Sequence, residues 1–163
     1  MDTEQQQIKR KGDKMLKVAL IGLGGMGSVH LANWRKMEGV ELVAVCDIRS
    51  DLAVEKAVNE KVYADIDELL EHETLDIVDV CTPSYLHKEH SIKAMKKGIH
   101  VLTEKPAALN SEDVAEMYRI AKDNHVKLMV AHVIRFMKDY MVLKEIYKSK
   151  KYGELLLSLI HIS

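Results

Sequence analysis

The sequence predicts an α/β fold, a doubly wound parallel sheet, on three observations. Apolar stretches of strand length alternate along the chain with amphipathic stretches of helical length. Some of the strand-like stretches are continuously apolar, as at Val18-Ala19-Leu20-Ile21, which is typical of a strand covered on both faces. A glycine-rich turn separates the first predicted strand from the first predicted helix, as in Rossmann folds.

Six strands and six helices are predicted in alternation. The strands are placed at residues 16–22, 41–47, 61–64, 76–82, 99–103 and 127–131, and the third has the weakest pattern. The helices are placed at residues 25–37, 50–59, 67–72, 85–97, 111–124 and 136–151. Ser50 and Ser111 are start signals, and Gly98 after two lysines is a stop signal. Right-handed crossovers would wind these units into one sheet.

Three regions are predicted along the chain. Residues 1–14 are polar and are expected to form a flexible leader, and residues 15–135 are expected to form the Rossmann domain. Residues 136–163 would then be a linker helix and the first strand of a truncated second α/β domain, at residues 155–162. His161 in that strand is interpreted as structural. The alternative that the last residues are not native sequence stays open.

The composition excludes several classes of protein. With 47% hydrophobic and 30% charged residues, the chain is typical of a globular domain. A net charge of -1 with intermixed signs argues against nucleic acid or an anionic membrane as partner. No apolar run approaches the roughly 20 residues that span a bilayer, and no signal core is evident, so a cytoplasmic location is expected. Cys46 and Cys81 end strands about 10 Å apart, which predicts reduced thiols.

The glycine motif predicts a site for a dinucleotide pyrophosphate. Gly22 would permit a tight turn, Gly24 would let the backbone approach the pyrophosphate, and Gly27 would allow close packing of helix on strand. The helix that follows presents free N–H groups and a partial positive charge. Ser28 follows Gly27 where a Walker loop needs Lys, so a P-loop is excluded. The expected cofactor contacts are Gly22, Leu23, Gly24, Gly25, Met26 and Gly27.

Asp47 ends the second predicted strand, about 20 residues after Gly27. An acid at this place binds the adenosine ribose hydroxyls and repels a 2′-phosphate, which favours NAD over NADP. Arg49 could instead meet a phosphate, so NADP stays open as the alternative. A turn Asp without a ligand is the structural alternative for Asp47.

Two further turns leave predicted strands at the carboxyl edge of the sheet, where doubly wound folds bind ligands. The chain has two prolines, Pro83 and Pro106, and one lies in each turn. In the first turn, His87 and His90 are three residues apart, but no third metal ligand is evident, so a solvated or cofactor-lining face is favoured and no metal is expected. In the second turn, Lys105 could polarise a substrate hydroxyl or relay a proton, or be an ordinary surface lysine.

Together these motifs resemble the Gfo/Idh/MocA family of oxidoreductases, over about residues 16–156. The elements are GLGGMG, the strand that ends at Asp47, CTPSYLH, TEKP and the run AHVIRF. The resemblance implies that Lys105 lies at the reacting carbon and that His132 and Arg135 lie near cofactor or substrate. Ser84 stands where Asn is commoner in the family, which leaves one polar contact open. The further cofactor contacts implied or expected are Asp47, Arg49, Thr82, Pro83, Ser84, His87, Glu104 and Lys105.

The resemblance implies an NAD(P)-dependent enzyme that oxidises or reduces a secondary alcohol or carbonyl of a sugar, cyclitol or related polyol. The family's second domain supplies the substrate pocket and the oligomer interface, so the full-length protein is expected to be a homo-oligomer. Without that domain we expect cofactor binding but no useful turnover. Two alternatives stay open: a non-catalytic NAD-binding or interaction module, and a Rossmann methyltransferase, which would not need TEKP. The particular substrate is not encoded in these residues.

Overall fold

The computed structural model describes residues 15–154. They form two compact units, whose described parts are residues 15–130 and 131–154. The predicted leader at residues 1–14 and the predicted terminal strand at residues 155–162, with His161, lie outside the described residues. The predicted domain boundary at residue 135 falls inside the second unit and stays a prediction.

The first unit contains one six-stranded sheet in which every neighbouring pair of strands is parallel. The strand order is β3-β2-β1-β4-β5-β6, so the chain winds outwards from β1 to one edge and then from β4 to the other. This order confirms the predicted doubly wound Rossmann fold. The strands are β1 Leu16–Ile21, β2 Val40–Cys46, β3 Lys61–Tyr63, β4 Ile77–Val80, β5 His100–Thr103 and β6 Leu128–Val130.

All six predicted helices are present, most of them shorter than predicted. In place of the predicted start at residue 85, a 3₁₀ turn at Ser84–Leu86 follows Pro83, because proline favours a turn at this point. A second 3₁₀ turn, at Val133–Phe136, precedes the last helix. The helices are α1 Gly25–Trp34, α2 Ser50–Lys56, α3 Ile66–His72, α4 His87–Lys96, α5 Ser111–Asp123 and α6 Lys138–Ser149.

The start signals at Ser50 and Ser111 and the stop signal at Gly98 lie at helix ends, but neither serine is the capping residue. Helices α2 and α5 begin at Ser50 and Ser111 as predicted. The side chain that caps α5 belongs to Asn110, whose oxygen accepts a hydrogen bond from the Asp113 N–H. Gly98 follows α4 with φ of 77°, a left-handed conformation that glycine adopts without strain.

The core lies on both faces of the sheet, as the apolar pattern of β1 predicts. Ala19 and Ile21 pack in a cluster with residues of α3, α4 and α5, whereas Leu20 packs with Leu31 of α1 and Ala53 of α2. Consecutive β1 side chains therefore enter opposite apolar layers, and both layers exclude water from the strand. The sheet edge at the carboxyl ends of the strands is left for the loops that carry the candidate site.

The two cysteines are free thiols in the predicted arrangement. Cys46 ends β2, Cys81 follows β4, and β1 lies between these strands in the sheet. Burial raises the pKa of the Cys46 thiol to about 12. Burial, and then the charges of Asp79 and Glu104, raise the pKa of Cys81. Both side chains are therefore protonated near neutral pH. Across residues 15–154, no helix has the length and apolar character needed to cross a membrane.

Candidate functional site

A cavity of about 660 Å³ lies at the carboxyl ends of β1, β2, β4 and β5. Its volume is in the range of small-molecule and cofactor sites. It lies where the strand order reverses between β1 and β4, which is the usual place for a ligand in this kind of sheet. The predicted site residues that line it are Gly22, Gly24, Met26, Asp47, Arg49, Thr82, Pro83, Ser84, His87, Glu104 and Lys105.

Three predicted contact residues, Leu23, Gly25 and Gly27, are absent from this lining. Gly27 serves the packing of helix on strand, because a Cβ there would lie 1.8 Å from the Gly22 carbonyl oxygen. Gly22 has φ of 89°, and a Cβ there would lie 2.6 Å from the Cys81 carbonyl oxygen. A Cβ at Gly24 would meet no atom within 4 Å, so this backbone stays open to the cavity. The Leu23 side chain is fully buried in the core.

The glycine loop, residues 22–27, is also held by side chains from other elements. Asp47 Oδ2 accepts a hydrogen bond from the Leu23 N–H at 2.7 Å. Lys56 of α2 donates from Nζ to the Leu23 carbonyl oxygen at 2.7 Å and also contacts Ser28 Oγ. Ser28 Oγ donates to the Gly24 carbonyl oxygen at 2.8 Å. Sequence reasoning missed Lys56, because nothing in an amphipathic helix marks one lysine as facing a loop.

Asp47 is 7% exposed and forms an ion pair with Arg49, with Arg49 Nε 3.2 Å from Asp47 Oδ1. Burial alone would raise the pKa of Asp47, but the Leu23 N–H and then the Arg49 side chain outweigh it, so the pKa lies below its usual value. The carboxylate is therefore ionised at neutral pH. Arg49 is 58% exposed, so its guanidinium is free to change partner at low cost.

The loop after β4 and helix α4 each bring an unsatisfied polar atom to the cavity. Thr82 Oγ1 and His90 Nδ1 are buried and have no hydrogen-bond partner among the described residues. Both residues line the cavity. Burial lowers the pKa of His90, so its ring is neutral at physiological pH. Buried polar atoms cost free energy when unpaired, so this part of the cavity suits a ligand with polar groups.

His87 lies at the start of α4 with its ring 1% exposed. Its Nδ1 is 2.7 Å from the Pro106 carbonyl oxygen, and its Nε2 is 2.7 Å from the Thr82 carbonyl oxygen. Both ring nitrogens are thus directed at the protein backbone, and neither is available to a metal. The pair His87 and His90 is not a metal site in this arrangement.

Lys105 follows Glu104 at the end of β5, in a turn where the Lys105–Pro106 peptide is cis. Glu104 is 5% exposed, and its Oε2 accepts a hydrogen bond from the Lys105 N–H at 2.9 Å. Its Oε1 lies 3.2 Å from Nε2 of His30, a residue of α1. The Lys105 backbone is therefore linked through Glu104 to the helix that follows the glycine loop.

A buried charged network continues from His30 into the sheet. His30 Nδ1 lies 2.8 Å from Oδ2 of Asp79, which also accepts a hydrogen bond from Trp34 Nε1 at 2.6 Å. The hydrogen bond to Asp79 raises the pKa of His30; burial opposes this shift, and the charges of Asp79 and Glu104 add to it. Sequence reasoning missed the network. Its one visible signal was Asp79, an acid inside the apolar strand Ile77–Val80.

Ligand-type atoms of His30, Asp79 and Cys81 lie within 4.8 Å of one another. The hydrogen bonds of His30 and Asp79 already account for their placement. The Cys81 thiol, whose pKa burial raises, would have to lose its proton to bind a metal. The closeness of these atoms is therefore explained by the hydrogen bonds of His30 with Asp79 and Glu104.

His132 and Arg135, predicted near cofactor or substrate, belong to the second unit. His132 immediately precedes the 3₁₀ turn Val133–Phe136, which contains Arg135, and both side chains are exposed within that unit. Their roles stay predictions.

Comparisons with known proteins agree with this geometry. The chain matches the Gfo/Idh/MocA family, described as an oxidoreductase family with an NAD-binding Rossmann fold, over residues 16–132. It is 33% identical over 143 residues to a 2,7-anhydro-N-acetylneuraminate hydratase from Mediterraneibacter gnavus, covering 88% of this chain and 38% of the relative. It is 34% identical over 142 residues to a myo-inositol 2-dehydrogenase from Thermotoga maritima, covering 85% of this chain and 42% of the relative.

Among solved structures, the chain is similar to scyllo-inositol dehydrogenase from Lactobacillus casei with bound NAD(H) and scyllo-inositol. The TM-score is 0.78 at 27% identity, covering 86% of this chain and 43% of that one. The chain thus spans well under half the length of the curated relatives it matches.

Proposed function

This chain belongs to the Gfo/Idh/MocA oxidoreductase family, and from that premise we propose that its cavity binds NAD(P) for hydride transfer to or from a sugar, cyclitol or related polyol. The observation that carries the proposal is the joining of three features in one cavity: an open glycine loop, an ionised acid at the end of β2, and Lys105 after β5. Relatives named as inositol and sugar-derivative enzymes support the substrate class.

The glycine loop fits a pyrophosphate. Helix α1 starts at Gly25, and its first turn has backbone N–H groups without helical partners and contains no acidic residue. Those groups would bind phosphate oxygens, helped by the positive end of the helix dipole. The open space above Gly24 allows the close approach that such binding needs.

Asp47 and Arg49 support NAD as the cofactor and keep NADP as the alternative. An ionised Asp47 would accept hydrogen bonds from the adenosine ribose hydroxyls and repel a 2′-phosphate. Arg49 pairs with Asp47 but is exposed, so it could turn to a 2′-phosphate, which keeps NADP as the alternative. Thr82 Oγ1 and His90 Nδ1 would gain partners from the polar groups of the bound cofactor.

Lys105 is the proposed catalytic residue. Its ammonium group would hydrogen-bond the substrate hydroxyl, stabilise negative charge that develops on that oxygen, and take part in moving its proton. The nicotinamide supplies the hydride chemistry when it is bound. Such general acid–base assistance is worth about 10²–10⁴ in rate. His132 and Arg135 are proposed to contact substrate or cofactor.

Two broader statements belong to the same proposal. A cytoplasmic location is proposed, because Cys46 and Cys81 are both free thiols, as is usual in a reducing compartment. A homo-oligomeric full-length protein is proposed on the family's domain organisation.

The test is calorimetric titration of the chain with NAD, NADP and S-adenosylmethionine, for wild type, Asp47→Asn and the control Asp123→Asn. Asp47→Asn keeps an oxygen that can accept from the Leu23 N–H, so the loop is retained while the charge is removed. We expect NAD to bind best. In Asp47→Asn the affinity for NAD should fall about tenfold, because a charged hydrogen bond is lost. The ratio of the NAD affinity to the NADP affinity should therefore decrease.

Asp123 lies at the end of α5 on the surface and pairs with Arg119, so its loss should leave all three affinities unchanged. Folding of each variant is checked by circular dichroism. A folded wild-type chain that binds neither dinucleotide would overturn the proposal, and binding of S-adenosylmethionine alone would favour a methyltransferase.

Turnover is followed by NADH absorbance with myo-inositol and glucosides as donors. We expect NAD binding without useful turnover by this chain. NADH formation that disappears in Lys105→Ala would contradict that expectation and support the proposed role of Lys105.

A further inference from the structure

Two histidine rings contact the neighbours of Lys105, and the function proposed above assigns neither ring a catalytic role. His30 Nε2 lies 3.2 Å from Glu104 Oε1, one residue before Lys105. His87 Nδ1 lies 2.7 Å from the carbonyl oxygen of Pro106, one residue after it. The Lys105 segment, residues 104–106, is therefore contacted by an imidazole ring on each side of the lysine in the chain.

The second nitrogen of each ring contacts β4 or the loop that follows it. For His30 the partner is Asp79 Oδ2 on β4, at 2.8 Å. For His87 the partner is the carbonyl oxygen of Thr82, two residues after β4 ends, at 2.7 Å. Both rings thus join the Lys105 segment to β4 or to the loop that follows it. Within the segment, the Lys105 N–H donates a hydrogen bond to Glu104 Oε2, the carboxylate that His30 contacts.

All four partner atoms are oxygens that accept hydrogen bonds, two from carboxylates and two from carbonyl groups. A neutral imidazole has one N–H, so the other nitrogen would direct a lone pair at an oxygen lone pair. The His30 ring therefore satisfies both of its carboxylate partners only when both of its nitrogens carry protons. For His30, the carboxylates of Asp79 and Glu104 compensate the positive charge, and the raised pKa agrees with this state.

Burial makes these contacts restrictive. The His30 side chain is 12% exposed, Asp79 is fully buried, and His87 is 1% exposed. A buried polar contact that is broken leaves its partners without water, at about 1–3 kcal/mol for each group. The rings therefore have little freedom to move away from residues 104–106.

We infer that His30 and His87 are positioning residues that hold Lys105 at the β4 side of the cavity. His30 does so by donating from both ring nitrogens to Asp79 and Glu104, and His87 through its contacts with the Thr82 and Pro106 carbonyl oxygens. The importance of this arrangement for catalysis rests on the proposed function, in which Lys105 acts on the substrate. The arrangement itself is tested without cofactor or substrate.

The first test is NMR of the whole chain with ¹⁵N-labelled histidine, near neutral pH. We expect the His30 ring to show two protonated nitrogens that exchange slowly with water, and the His87 ring to show a slowly exchanging N–H. Assignment uses His30→Gln and His87→Gln, and the exposed His72, whose Nδ1 contacts the Glu68 carbonyl oxygen, is the reference ring. A singly protonated His30 ring, or a His87 N–H that exchanges with water as fast as that of His72, would overturn the inference for that residue.

The second test measures amide hydrogen exchange at Lys105 in wild type, His30→Gln, His87→Gln and the control His72→Gln. We expect protection at Lys105 to fall about tenfold in the first two variants, as for the loss of one hydrogen bond, with no change in the control. Protection at Leu20 in the central strand β1 should change much less. An equal loss at Leu20 and Lys105 would indicate general destabilisation and overturn the positioning role.

The third test links the histidines to Lys105 through NADH affinity, using a double-mutant cycle of His30→Gln and Lys105→Ala. A positioning residue acts through the lysine, so His30→Gln should weaken NADH binding several-fold with Lys105 present and have little effect in Lys105→Ala. Additive losses would contradict the inference. A chain that binds no dinucleotide overturns the proposed function only, because the first two tests decide the positioning role without cofactor. If His87→Gln does not fold, the His87 part of the inference is tested by the NMR spectrum of its ring in the wild-type chain. The His30 part is still tested by His30→Gln.

Discussion

The two ends of the cavity are built by different means. At the β1–β2 end, the glycine loop presents backbone with almost no side chain, and Asp47 and Lys56 bind it through the amide and carbonyl of Leu23. At the β4–β5 end, the position of Lys105 depends on buried charged side chains, with Asp79 and Glu104 contacting His30.

The difference follows from what each end has to do. A pyrophosphate is bound by N–H groups that must come within hydrogen-bond distance, so that end tolerates little added volume. A catalytic lysine is useful only at one position, and charged hydrogen bonds fix positions more strongly than neutral ones. We therefore expect the glycine end to be sensitive to size and the Lys105 end to be sensitive to charge.

The largest effect is expected for Gly27→Ala. The added Cβ would lie 1.8 Å from the Gly22 carbonyl oxygen, and backbone on backbone cannot relax as a side chain does. The free energy of unfolding should fall by about 4 kcal/mol or more, as measured by urea denaturation. Gly25→Ala in the same helix meets no atom within 4 Å and should be neutral or stabilising by up to about 1 kcal/mol. Similar losses in both variants would refute the size argument.

Asp79→Ala tests the charged end. The change leaves the Trp34 indole N–H and the His30 ring without their buried acceptor. We expect the free energy of unfolding to fall by about 3–4 kcal/mol, the usual cost of removing one partner of a buried pair. Asp123→Ala on the surface, whose carboxylate is 3.5 Å from Arg119, should cost about 0.5 kcal/mol or less. Equal losses of unfolding free energy in Asp79→Ala and Asp123→Ala would mean that the buried network stabilises the fold no more than a surface ion pair.

Lys56→Met tests whether the stability of the glycine end also depends on a charged side chain. The variant keeps the aliphatic stem but removes the hydrogen bond to the Leu23 carbonyl oxygen. We expect a loss of about 1–2 kcal/mol in urea denaturation, against about 0.5 kcal/mol or less for Lys36→Met, an exposed lysine just after α1. A loss as large as that of Asp79→Ala would remove the distinction between the two ends.

The smallest effect is the pH dependence contributed by His30. Its pKa is raised in the folded chain, so the stabilisation it provides is complete below the unfolded value of about 6.5. That stabilisation is lost as pH rises through the folded pKa. The difference in unfolding free energy between wild type and His30→Gln should therefore be largest in mild acid and shrink at higher pH. A difference that stays constant with pH would show that His30 is not protonated in the folded chain.

Much of the glycine end could be predicted from the sequence. Gly22, Gly24 and Gly27 follow a local pattern tied to one strand and one helix, and the structure bears out the turn, the open backbone and the close packing predicted for them. Asp47 was found by its distance from that motif. Each of these signals lies within one βαβ unit, where spacing along the chain translates directly into position.

The contacts around Lys105 could not be predicted in this way. His30 and Glu104 are 74 residues apart, and His30 and Asp79 are 49 apart. The sequence showed Lys105 in its turn and an acid inside an apolar strand, but no pattern paired that acid with a residue of α1. The pairing follows from β4 lying beside β1 in the sheet, under the helix that leaves β1.

By itself the sequence determined the order of strands and helices, the burial of the central strand on both faces, and the place of the glycine loop, because these depend on local periodicity and spacing. The tertiary structure alone decided that His30 contacts both Asp79 and Glu104, that Lys56 supports the glycine loop, and that both nitrogens of His87 face the backbone. Those contacts join separate elements, and only the packing of α1, α2 and α4 on the sheet brings their atoms within hydrogen-bond distance.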